Sequence, residues 1–324
     1  TNDYKLYAKK LFVNTQSVQV WGGESGSYDT SLGVVSTPEY GKVFISIKST
    51  TGNNLTSTEK QNLITDLDRY KVASITPVIV DPDITKLVLT VKFKYNSSIT
   101  TKTSTELESD ILTNLKNYNT NTLISFGTPF RHSEVAGIID NTNTAILNNI
   151  TNINLTTNIT PATLGASQFY NIYFNNALYN PHTGHNADHG GILSSTGFKV
   201  SGDTTNVYYF DDDGSGNLRT YRLEGTSRVI KDSVAGTINY STGEIKINSI
   251  NIISIESVDG ADSTVIRLSV IPDSRDIIPV RNQILEIDFV NSTILGEIDT
   301  IATGDTGASG TYATSSGYSS NSAY

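Results

Sequence analysis

The sequence predicts an α+β fold: an N-terminal split-βαβ (ferredoxin-like) antiparallel sheet with helices on one face, then an all-β domain, then a flexible C-terminal tail. Three observations lead there. Strand and helix signals alternate through the first half, helical periodicity disappears after about residue 160, and composition collapses to Gly, Ser, Thr, Ala and Tyr beyond residue 303. The expected divisions are 1–160, 161–302 and 303–324.

In the first half, strands are expected at Tyr4–Val13, Val18–Trp21 and Lys42–Lys48. Thr56 with Glu59 three residues on fits a capping box, in which each side chain satisfies the other residue's free amide. Leu63, Ile64, Leu67 and Tyr70 give that helix its apolar stripe. Strands then follow at Ala73–Val80 and Lys86–Tyr95, joined by Asp81-Pro82-Asp83. The second has strict period two: Leu87, Leu89, Val91, Phe93 and Tyr95 face one way, and Lys86, Thr90, Lys92 and Lys94 the other. Such a strand has one dry face and one wet face. A second helix begins near Thr103 with Glu106, burying Leu107, Ile111, Leu112, Leu115 and Tyr118. A third follows Ser133 with Val135, Ile138 and Ile139, and Ala145–Thr156 reads as a strand.

The second half reads as strands at Phe169–Phe174, Val207–Phe210, Leu218–Leu223, Gly236–Tyr240, Glu244–Ile250, Val265–Val270 and Ile284–Phe289. Turn sequences punctuate them: DDDGSGN at 211–217, YSTG at 240–243 and VDGADS at 258–263. Gly216 and Gly243 are placed to supply the positive φ of tight hairpin loops. The tail from 303 cannot offset the entropy of its own ordering, and Tyr312, Tyr318 and Tyr324 suit it to docking on a partner.

Composition narrows the function. The 324 residues include no cysteine, which removes disulfide frameworks, zinc ribbons and thiol catalysis. They also include no methionine, so the expectation is a fragment lacking an N-terminal portion. A net charge of −9 without a basic stripe argues against nucleic acid as a partner. No apolar run approaches the ~18 residues of a membrane span, so no membrane partner is expected. Ser, Thr and Asn make up roughly a third of the chain and charged residues 17%, a balance suited to surfaces that meet other proteins.

Candidate chemistry is sparse. His182, His185 and His189, with Asp188 beside them, share the loop NPHTGHNADHGG and could ligate a transition metal. No helix pattern holds them in register and no H-E-x-x-H motif is present. The plainer reading is a polar Gly/Asn-rich loop with incidental histidines, so no metal and no cofactor is expected. Asp211, Asp213, Ser215 and Asn217 alternate as in calcium loops, but Arg222 stands where the bidentate glutamate belongs, and turn chemistry accounts for the residues. There is no nucleophile elbow and no P-loop lysine, so no catalytic residues are expected.

The run GKVFISIKSTTGNNLTSTEKQNLITDLDRYKVASITPVIVDPDITKLVLTVKFKYN resembles the baseplate J-like family of contractile bacteriophage tails, and ELESDILTNLKNYNTNTLISFGTPFRHSEVAGIID is similar to that family's second helix, glycine turn and short helix. In the second half, NIYFNNALYNPHTG, YYFDDDGSGNLRTYRL, AGTINYSTGEIKINSI and DSRDIIPVRNQIL resemble wedge subunits of T-even-like phages. The resemblance implies the C-terminal part of a structural, non-enzymatic wedge subunit. It also implies a homodimer joined into a ring around the hub, contacts with other wedge subunits, assembly in the host cytoplasm and residence in the virion tail baseplate. Two rivals stand beside it: a receptor-binding tail adhesin, and a metal-dependent hydrolase using the histidine loop.

Overall fold

The computed structural model describes residues 2–25, 38–70, 74–184, 191–258 and 262–300. The expected tail at 303–324 lies outside them.

The chain opens with a helix, α1 (Asn2–Leu11), where the sequence reading expects a strand. YKLYAKKLF fits both periods, but Tyr4 and Ala8 are the buried positions, with Tyr7 and Leu11 packed nearby. Their i, i+4 spacing is that of one helix face, and tertiary packing selects it. Next come β1 (Thr15–Gly22), β2 (Lys42–Ser49), α2 (Ser57–Leu67) and β3 (Thr76–Val80). Thr56 caps α2 through the full capping box with Glu59. The three strands form a sheet of order β1-β2-β3, antiparallel then parallel. It carries its own core, built from Val18, Val43, Ile45 and Ile47 of the sheet against Tyr4, Ala8, Leu63 and Leu67 of the helices.

β4 (Asp83–Tyr95) leaves this sheet and starts another. The strands expected to share one split-βαβ sheet therefore divide between two. Pro82, with no amide to donate, stands at the break. Then follow α3 (Ser104–Tyr118), a π turn at Asn119–Leu123, α4 (His132–Asp140) and β5 (Ile146–Ile159). Thr103 and Glu106 form a second complete capping box. Such caps contribute about 1 kcal/mol.

The remaining elements are β6 (Ser167–Tyr173), β7 (Leu193–Ser195), β8 (Phe198–Val200), β9 (Asp203–Asp212), β10 (Asn217–Glu224), β11 (Ser227–Asn239), β12 (Glu244–Ile255), β13 (Ile266–Val270), β14 (Gln283–Ile287) and β15 (Thr293–Ile298). Two sheets result. One has the order β11-β10-β9-β8-β12-β6, and a β11–β12 pairing closes β8 to β12 into a small barrel. Phe198, Phe210, Leu218, Ile245 and Ile252 are buried in its core. The other, the central sheet, has the order β14-β4-β5-β13-β7, so it runs across the expected division at residue 160.

The central sheet is mixed, where an antiparallel one is expected. β5 pairs antiparallel with one edge of β4, while β14 and β15 lie parallel, end to end, along the other. Where these two strands meet, the Leu89 amide donates to Ser292 Oγ at 2.9 Å, which bridges the gap in the ladder. The dry face of β4 is as expected: Leu87, Leu89, Val91, Phe93 and Tyr95 are all buried. They meet Leu107, Ile111 and Leu115 of α3 with Val135 and Ile139 of α4. Each of these side chains contributes about 1.5–3 kcal/mol by leaving water.

Candidate interaction surface

Helices cover one face of the central sheet and leave the other open. On β4 the open face carries Lys86, Val88, Thr90, Lys92 and Lys94, the positions whose alternation marks them as wet. Strand pairing extends it sideways in register. Leu295 pairs with Lys92, and Lys92 with Ile150, so one row across three strands reads Leu–Lys–Ile. Leu295 is 51% exposed and Ile150 49%, so nothing in the described chain lies over this row. A second row runs Glu286–Lys86–Thr156–Ser269–Ser194 from β14 to β7.

Two shallow depressions lie on this face and share Thr156. One, of about 250 Å³, is lined by hydroxyl and amide side chains around Arg267, among them Ser194, Thr196, Ser269 and Asn291. The other, of about 390 Å³, lies beside the first unit, with Asn54, Lys86, Asn158 and Glu286 in its walls. Arg267 is oriented by Asn291, whose Oδ1 accepts from its Nη1. Glu286 is engaged by Lys48 of β2, whose Nζ stands 3.5 Å away and whose side chain is 3% exposed. That ion pair, the Asn282 Nδ2 bond to the Asp81 carbonyl and the Gln16 Nε2 bond to the Thr120 carbonyl tie the first unit to the central sheet.

The loops singled out for metal chemistry behave differently. Of the histidine loop's three histidines, only His182 is described; its Nδ1 lies 3.3 Å from the Thr183 carbonyl. His185, Asp188 and His189 lie outside the described residues, and among the described residues no group of three metal-ligating side chains gathers. The alternating carboxylates between β9 and β10 do not point at a common centre. Asp211 accepts from Arg219 Nε and Nη2, both at 3.0 Å, and from Arg228 Nη1 at 2.9 Å. Burial raises the Asp211 carboxyl above its ordinary range against the pull of both arginines. Asp212, fully buried, accepts from the Leu193 amide and from the Tyr240 hydroxyl. Asp213 closes the turn by accepting from the Ser215 and Asn217 amides and from Asn217 Nδ2. Burial raises its carboxyl, but these bonds outweigh it and the net shift is downward. Gly214 and Gly216 at φ 71° and 103° make the turn possible. These bonds are those of a closed hairpin turn.

The wet alternation of β4 was visible in the sequence. Ile150, Arg267 and Leu295 were not singled out, because only strand pairing brings them onto the same face.

Residues 1–80 match the family model described as baseplate structural protein gp6, C-terminal domain I, and residues 87–158 match that for C-terminal domain III of the same protein. No curated protein matches the chain. The first match coincides with the α1-to-β3 unit, and the second with β4, α3, α4 and β5. Both matched domains are those of a bacteriophage baseplate structural protein, and they imply a structural subunit located in the virion tail baseplate.

Proposed function

We propose, from the premise of a structural baseplate subunit, that this chain is a non-catalytic wedge component that joins its neighbours into a ring. It does so through a homodimer contact and through separate contacts with other wedge subunits. The observation that supports this best is the pair of gp6-type domains, which occupy consecutive folded units of the chain. The open sheet face adds a physical reason. It is broad, shallow and polar with scattered aliphatics, the composition of an interface rim and not of an enclosed reaction site.

A two-fold dimer is the commonest closed assembly, and a stable one buries roughly 1,200–2,000 Å² in total. Light scattering across a concentration series is the test. The expected mass is twice the 35.1 kDa of the chain. A mass that stays monomeric at the highest concentration would remove the homodimer from this reading.

A further inference from the structure

We propose that the open face of the central sheet docks a carboxylate-rich segment of a different baseplate protein. This rests on the structural-subunit reading above and adds the chemistry of the partner. The chain as a whole carries −9, yet this face gathers cations: Lys86, Lys92 and Lys94 along β4, and Arg267 on β13. The acids on the same face are accounted for. Glu286 is engaged by Lys48 of the first unit, and Glu297 stands opposite Lys94 in the strand register. Glu286 also stands opposite Lys86 in the register, whereas Lys92 has only Leu295 and Ile150 beside it; neither lysine forms a salt bridge among the described residues.

Charge complementarity then selects the occupant. A second copy meeting this face with the same face would set Lys92 near Lys92 across the two-fold axis, a like-charge contact that opposes association. A same-face dimer with its axis near Lys92 is therefore disfavoured, and the reversal variants below test for it. A nucleic acid draws its affinity from many neutralised phosphates, and a face with four cations and two acids in a chain of net charge −9 supplies few. An acidic protein segment fits both parts of the surface. Its carboxylates meet Lys86, Lys92 and the Arg267 depression, whose Ser and Thr hydroxyls can donate as well. Its apolar side chains lie on Ile150 and Leu295, the exposed aliphatics either side of Lys92.

The test uses the full chain and fluorescence anisotropy with three labelled probes: a short peptide of alternating glutamate and serine, the same peptide with lysine for glutamate, and a short oligothymidylate. The acidic peptide should bind at low salt and weaken as salt rises. The double reversal Lys86→Glu with Lys92→Glu should weaken it about tenfold or more. Lys102→Glu, on the loop before α3, should not. If the reversal disturbs folding, Lys86→Gln with Lys92→Gln replaces it and should still weaken binding. Absent binding of the acidic peptide, equal binding by the reversed variant, or tighter binding of oligothymidylate would each overturn the proposal. So would conversion of a dimer to a monomer by the reversal, which would make this the homodimer face. A monomeric wild type that still binds the acidic peptide in a salt-dependent way would remove the homodimer and leave the docking surface standing.

Discussion

The hairpin between β9 and β10 and the open face of the central sheet are both polar, but their charges are arranged in opposite ways. In the hairpin each acid has its counterpart: Asp211 with two arginines, Asp212 with Tyr240 and the Leu193 amide, Asp213 with its own turn. On the sheet face, Lys92 stands in water between two aliphatics, and Lys86, opposite Glu286, forms no salt bridge among the described residues. The first arrangement holds one chain together, because a buried charge left unpaired is costly to the fold. The second costs the fold almost nothing and leaves the cations available to another molecule. The location of charge, more than its amount, separates what is internal from what is offered outward.

The comparison can be broken most sharply at Asp211. Replacing it with alanine leaves Arg219, whose side chain is 9% exposed, without its carboxylate. The expected loss is about 3–5 kcal/mol, read from urea denaturation. A loss under ~1 kcal/mol would mean that the network does not hold the barrel.

Asp83 sharpens the contrast as a third case, an acid held in the fold with no cation paired to it among the described residues. Burial alone pushes its carboxyl up to about 6. An unfolded aspartate titrates near 4, so between about pH 4 and 6 the native chain keeps a proton that the unfolded chain has lost. Stability from this group is therefore full below pH 4 and is lost as pH rises through 6. Asp83→Asn should be more stable than the wild type by about 2–3 kcal/mol at pH 7.5, and the gap should close at pH 4. A gap independent of pH would remove the assignment.

The smallest effect is expected on the open face. Lys86→Gln and Lys92→Gln should each shift stability by no more than about 0.5 kcal/mol, whatever they do to binding. A larger loss would show that these lysines support the fold, and the distinction between the two regions would fail at that point.

Local chemistry was the legible part of this molecule. Both capping boxes, at Thr56 and Thr103, and the period-two alternation of β4 are written in residues a few positions apart, and each stands in the structure as read. The helix α1 was misread because its ten residues satisfy two periods at once, and only its packing under β1 and α2 decides between them. The sheet membership of β4 was illegible for a different reason. Its edge is completed by β14 and β15, and no local pattern announces a partner so distant in sequence. The short strands β7 and β8, three residues each, carry too few positions to show any period. The same limit hid Arg267 and Leu295, which join the lysine face only through pairing.

The long reach between Leu89 and Ser292, 203 positions apart, also governs how the molecule can be made. While the chain emerges from a ribosome, β4 and β5 are synthesised well before anything exists to line the far side of β4. The half-built sheet must wait with bare amides until the closing strands arrive, and slow maturation follows from contacts so far apart in sequence. A chain cut short between α4 and β14 would keep the helices and lack the border, leaving an adhesive edge. The central layer is sealed only after the residues through β15 have been made.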